Sequence, residues 1–134
     1  MLVYLAYKFT NVKDKEDLIN SLNDISKTLN FLGHQTFILG RDIQNWKKSH
    51  ISQLISLFHI IKNMIKANKI FAFINSDEKS TGLSTELKIA KILGKNVTIL
   101  KKNTVTQNYF EDLRFKTTEF VNIDDLKERL KSGF

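Results

Sequence analysis

The segment Ser80-Thr81-Gly82-Leu83-Ser84-Thr85-Glu86 gathers four hydroxyls, a glycine and a carboxylate within seven residues. A glycine there lets backbone approach a ligand closely, and the free amides of a helix's first turn attract an anion, so the segment suits a phosphate. Glu86 has two readings. It is either a first-turn glutamate that complements the helix dipole or completes a capping box, or a carboxylate presented to a bound ligand. Lys8, just past the first apolar run, would offset phosphate charge, although a lysine after a strand is commonplace. Cysteine is absent, which excludes disulfides, thiolate metal sites and a cysteine nucleophile. His34, His50 and His59 fall on different elements or at spacings unsuited to a shared metal, so no metal site is expected.

These residues need elements to position them, and the apolar pattern supplies the elements. Leu2 to Tyr7 reads as a buried strand. Leu18, Leu22, Ile25, Leu29 and Leu32 recur at helical spacing between Lys15 and Leu32, and Gly33 stands where a C-cap belongs. His34 to Leu39 predicts a second strand, followed by a polar loop at Gly40-Arg41-Asp42. Lys48 to Ala67 predicts a longer helix with Ile51, Leu54, Ile55, Phe58, Ile61 and Ile65 at helical spacing. Lys69 to Asn75 is an unbroken apolar run, as a central parallel strand requires. After a polar loop from Ser76 to Thr81, a helix is expected from Leu83 to Leu93, closed by Gly94. A strand at Asn96 to Leu100 follows, then a short helix at Tyr109 to Leu113, a fifth strand at Glu119 to Ile123 and a last helix at Asp124 to Lys131.

Strands alternating with helices imply right-handed crossovers and a parallel sheet covered on both faces. The expected fold is a single α/β domain over residues 1–134, a flavodoxin-like doubly wound five-stranded parallel sheet of order 2-1-3-4-5. Its ligand crevice would open at the carboxyl ends of the first and third strands, where successive connections leave in opposite directions. The loops at Tyr7 to Asn11 and Asn75 to Thr85 would then flank the ligand.

Tyr4-Leu5-Ala6, Ile70-Phe71-Ala72-Phe73, Ser80, Gly82, Glu86-Leu87, Ala90 and Gly94-Lys95, in that order and spacing, resemble the nucleoside 2-deoxyribosyltransferase superfamily, which includes the 2'-deoxynucleoside 5'-monophosphate N-hydrolases. The resemblance covers about residues 1 to 101. It implies that Glu86 attacks the anomeric carbon of the sugar, that the base departs, and that water or a second base resolves a glycosyl ester. It also implies that Tyr4 touches or orients that carboxylate, whereas a tyrosine in a buried strand otherwise serves packing. Nucleoside-specific members are similar in carrying an aspartate six residues before the glutamate. Ser80 stands there, which implies a 5'-monophosphate, with Lys8, Gly82 and Ser84 beside it. Where the family has an aspartate on its second helix, this chain has Ile60, so protonation of the departing base falls to Asp42 or to His59. Tyr7 and Lys8 replace a small Gly-Ser pair, and Tyr7 either stacks on the base or packs. The resemblance further implies a homodimer, with a neighbour's segment near Asn103 to Arg114, including Tyr109, completing the site.

Composition narrows the alternatives. A net charge of +7 points to an anionic partner, yet only Arg41, Arg114 and Arg129 among twenty-one basic residues are arginine, and the lysines are spread over the chain. A nucleic-acid surface would cluster arginine with exposed aromatics, and only Trp46 with Lys47-Lys48 comes near that, so a small nucleotide or nucleoside is the expected partner and nucleic acid is not. No apolar run is long enough to span a membrane, and the N-terminus lacks a signal-peptide cleavage site, so a soluble, cytoplasmic protein is expected. No cofactor is expected. The hydroxyl-rich loop resembles the flavin phosphate loop of flavodoxins but follows the third strand rather than the first, and a receiver domain would need an aspartate where Asn75 stands. A non-catalytic nucleotide sensor is the competing reading.

Overall fold

The computed structural model describes residues 1–8, 14–43, 53–77, 81–106 and 113–133. Five parallel strands, β1 (Leu2–Tyr7), β2 (Gln35–Phe37), β3 (Lys69–Ile74), β4 (Val97–Lys102) and β5 (Lys116–Phe120), form one sheet of order β2-β1-β3-β4-β5. Among the described residues five helices connect or follow them: α1 (Lys15–Phe31), α2 (Leu39–Asp42), α3 (Gln53–Lys66), α4 (Thr81–Ile92) and α5 (Ile123–Lys131). This is the doubly wound flavodoxin-like order expected from the sequence.

Side-chain alternation splits the core into two layers. Tyr4 and Ala6 of β1 and Ile70, Ala72 and Ile74 of β3 pack with Met64 of α3 and Leu83, Leu87 and Ala90 of α4. Val3, Leu5, Phe71 and Phe73 pack on the other face with Leu18, Leu22, Ile25 and Leu29 of α1 and Leu126 and Leu130 of α5. β3 is buried at all six positions, so its sequence shows no alternation. Gly33 and Gly94 take φ of +92° and +67° just past α1 and α4. In each case the next amide reaches back five residues, His34 to the Leu29 carbonyl and Lys95 to Ala90, forming Schellman caps. Lys95 Nζ also donates to the carbonyls of Ile65 and Ala67, which closes the end of α3.

Several boundaries differ from the expectations; β4, for one, runs from Val97 to Lys102, two residues past Leu100. β2 stops at Phe37, because Asp42 Oδ2 accepts the Ile38 N–H at 2.9 Å and closes a helical turn where a loop was expected. β5 lies at Lys116–Phe120 rather than Glu119 to Ile123. Asn122 caps α5 by accepting the Asp125 N–H, and Asp125 accepts the Val121 N–H in return, so the chain is already turning into the helix by residue 121. α4 begins at Thr81, two residues before Leu83. The expected helix start at Lys48, the basic stretch beside Trp46, His50 and the short helix at Tyr109 to Leu113, apart from Leu113, lie outside the described residues.

Candidate active site at the carboxyl edge

β1 connects to β2 on one side of the sheet and β3 to β4 on the other, so the crevice opens beyond Tyr7 and Ile74. Two links shape its rim. Lys8, only 3% exposed, donates from Nζ to the Ser76 carbonyl at 2.9 Å. Asp77 accepts the Thr106 N–H at 2.9 Å and its hydroxyl at 3.2 Å. The segment after β3 is thereby tied both to β1 and to the chain leaving β4. Lys8 was expected to reach toward a phosphate. In the structure its ammonium has the Ser76 carbonyl as one acceptor, as a buried cation requires.

Glu86 is the sixth residue of α4, and no acidic residue occupies that helix's first turn. The capping and dipole reading therefore falls, since both act within the first turn. Leu83 and Leu87, three residues before Glu86 and one after it on the helix, belong to the Tyr4 layer. Oε2 is fully buried and has no hydrogen-bond partner, and burial pushes the carboxyl up from 4.5 to about 8. The Tyr4 hydroxyl is likewise buried without a partner, and its pKa is raised well above the ordinary phenol value by burial and then by the charge of Glu86. Two orphaned polar atoms sharing one electrostatic neighbourhood, one an acceptor and one a donor, mark the crevice as a place where stability has been given up.

Tyr7 points to the opposite face from Tyr4, in keeping with strand alternation. Its hydroxyl accepts the Gly40 N–H at 2.8 Å, anchoring α2 to the end of β1. Burial raises its pKa most, with Glu86 and then Asp42 adding to the rise and the Gly40 N–H opposing it. Glu86 thus acts on both phenols.

Asp42, a candidate proton donor from the sequence, sits in a network with Arg41 and backbone. Its Oδ1 takes Arg41 Nε at 2.8 Å, and its Oδ2 takes Arg41 Nη2 at 3.0 Å and the Ile38 N–H. Arg41 also donates to Ser26 Oγ at 2.8 Å and to the Thr36 carbonyl at 2.7 Å, while Ser26 and Thr36 bond each other through their hydroxyls. Arg41 and the Ile38 amide thus occupy acceptor sites on both Asp42 oxygens. The pair clasps α1, β2 and α2 together.

His59 is half-buried on α3, its ring set edge-on to Phe58 at 5.8 Å and its carbonyl accepting Asn63 Nδ2. Ile60, beside it, packs against the Tyr4 layer. Gly82 is exposed and Ser84 half-buried on the first turns of α4, while Ser80 lies outside the described residues. Among the described residues no three histidine or carboxylate groups gather as a metal would need. Sequence reasoning missed the Arg41 network, whose partners lie up to fifteen residues away, and the Asp77–Thr106 link, for which nothing in the local pattern offers a signal.

No protein-family model matches the chain, and no curated protein matches it in sequence. Solved structures do. The CMP N-glycosidase BcmB of Clostridium botulinum superposes with a TM-score of 0.74 at 14% identity over 98% of both chains. A 2-deoxyribosyltransferase of Bacillus psychrosaccharolyticus gives 0.68 at 23% identity, covering 95% of this chain and 90% of that one. A 2-desoxiribosyltransferase of Leishmania mexicana gives 0.59 at 18% identity over 83% and 69%. The chain shares its fold with these three proteins.

Proposed function

We propose that the chain is an N-glycosidase for nucleoside or deoxynucleoside 5'-monophosphates, with Glu86 as nucleophile. The observation that carries this reading is the buried Glu86 carboxyl, left without a partner beside the equally orphaned Tyr4 hydroxyl. A carboxyl with a pKa of about 8 is mostly protonated at neutral pH. Loss of that proton leaves a poorly solvated carboxylate. As the bond from C1' to the base nitrogen breaks, positive charge grows on the sugar and supplies the partner the protein withholds. An Oε–C1' bond forms, the base leaves with the bonding pair, and water or another base later displaces Glu86, so configuration is retained. In this proposal the Tyr4 hydroxyl, unbonded in the resting structure, donates to the carboxylate once Glu86 has lost its proton and so orients it. With Asp42 held in the clasp, His59 takes the role of protonating the departing base in this proposal. The names of the structurally similar proteins, a CMP N-glycosidase and two deoxyribosyltransferases, support the reaction class. Ser80, six residues before Glu86, supports a monophosphate substrate, since an aspartate there would repel one.

The test is incubation of purified protein with a panel of 5'-monophosphates and the matching nucleosides, with free base measured by chromatography, beside Glu86→Gln. Base release from monophosphates that is lost in the variant is the expected result. One observation favours a second reading, a nucleotide sensor: Ile60 puts an apolar side chain against the Tyr4 layer where a proton donor would serve. Tight binding of a nucleotide without base release would support the sensor and sink the glycosidase.

A homodimer is part of the same proposal. Ile55, Phe58 and Ile65 lie along one side of α3 and are 51%, 62% and 57% exposed, an apolar stripe of the kind a second copy would cover. Light scattering should give twice the chain mass, falling to a monomer with Phe58→Lys.

A further inference from the structure

The amino edge of the sheet, opposite Glu86, carries a second concentration of polar groups. Register sets Phe71, Thr98 and Lys116 side by side across β3, β4 and β5, with Thr118 two residues further along on the same face. Above them the last turns of α5 leave a cavity of about 150 Å³, with Thr98, Lys116, Thr118, Arg129 and Ser132 among its walls. Lys69, 5% exposed, stands behind Thr98 and donates from Nζ to Thr98 Oγ1 at 2.6 Å and to Asn96 Oδ1 at 2.9 Å. A threonine hydroxyl that accepts from an ammonium still has its own proton to donate, and no described residue takes it from Thr98.

The charges do not balance locally. Among the described residues no carboxylate lines the cavity. Arg129 is paired with Asp125 at 3.2 Å, but Lys116 makes no ion pair with any described residue, and its charge adds to burial in lowering the pKa of Lys69. The carboxyl end of α5 contributes only about half a negative charge. Its carbonyls of Glu128, Arg129 and Leu130 already accept from Ser132 N–H, Ser132 Oγ and Gly133 N–H. With Arg129 offset by Asp125, the full charge of Lys116 still outweighs that half charge, so the described walls of the cavity are net positive. Its volume equals on the order of five water molecules, well below the several hundred Å³ of a nucleotide pocket.

We propose that this cavity binds a small tetrahedral oxyanion, inorganic phosphate being the type, held by Lys116 Nζ and the hydroxyls of Thr98 and Thr118. The site lies on the face of the sheet opposite Tyr4 and α4, its apolar walls Phe71, Leu100, Leu126 and Leu130 belonging to the other core layer. An anion there cancels the repulsion between Lys69 and Lys116 and joins α5 to β5.

The experiment is calorimetric titration of the full chain with inorganic phosphate against sodium chloride at matched ionic strength. Wild type, Lys116→Gln, Thr118→Val and Ser80→Asp are compared, the last placing a negative charge where the nucleotide's phosphate is proposed to sit. Saturable binding at one ion per chain is expected, weakened at least tenfold in Lys116→Gln and Thr118→Val and within twofold of wild type in Ser80→Asp. Lys116 is exposed and Thr118 half-buried, so the two variants test the site through different perturbations of the fold. Absence of saturable binding overturns the proposal. So does binding that survives both cavity variants but is lost in Ser80→Asp, which would place the phosphate at the Glu86 edge.

Discussion

Replacing Glu86 with glutamine should stabilise the protein increasingly as pH rises, because it removes a carboxyl that the fold holds protonated. The folded value is about 8 and the ordinary value 4.5. Between them the folded state keeps a proton that the unfolded chain releases, and linkage then makes stability fall with pH. The contribution is fully present below about pH 4.5 and is lost as pH rises through about 8. From that gap the wild type loses about 2 to 3 kcal/mol between pH 5 and pH 7 and about 1 kcal/mol more by pH 9. Glutamine does not titrate, and every other ionisable group is common to both proteins, so the difference between them isolates Glu86. For a domain of this size about 1 kcal/mol moves Tm by about 3 to 5 °C. The gap in Tm between variant and wild type should therefore widen by about 8 to 12 °C from pH 5 to pH 7, read by thermal denaturation monitored with circular dichroism. A gap constant to within about 2 °C over that range would refute the assignment of a desolvated, protonated carboxyl, and with it the physical basis for Glu86 as the reactive group.

Tyr4→Phe deletes a buried hydroxyl that bonds to nothing, so stability in urea should hold or rise by about 1 kcal/mol while base release falls at least tenfold; a matching loss of both would reduce Tyr4 to packing. Arg41→Ala should lower stability by about 2 kcal/mol through the lost bonds to Ser26, Thr36 and Asp42. Asp42→Asn should retain kcat to within about threefold at temperatures where it is folded, and a hundredfold fall in kcat with the fold intact would restore Asp42 as proton donor. Lys8→Met frees the Ser76 carbonyl and should raise KM for monophosphates and nucleosides by similar factors, whereas a rise for monophosphates alone would make Lys8 a phosphate ligand.

The elements most legible in the sequence were those whose burial is one-sided or complete. α1 shows a clean helical stripe ending at Gly33, and β3 shows an unbroken apolar run, because nothing but core surrounds it. The errors fall on the edge strands. β2 and β5 are short and partly exposed, so Leu39 and Ile123, both apolar and next to a strand, were read as strand residues although each starts a helix. At the site, residue types and order pointed to Glu86 and Tyr4, but not to the missing partners, which depend on how α4 packs over β1. Glu86 was misplaced in the first helical turn because Thr81 and Gly82, poor helix formers, were assigned to the loop. Arg41-Asp42 read as a polar loop pair because its stabilising bonds run to Ser26 and Thr36, which only the folded chain brings near.

The central claim is that Glu86 bonds to the sugar carbon that the base leaves. Acid-quenched reactions of the wild-type protein with the monophosphate it cleaves, digested and weighed by mass spectrometry, should show a peptide containing Glu86 heavier by one sugar phosphate residue, absent from Glu86→Gln. Steady base release with no such adduct, or an adduct on a different residue, would contradict the account.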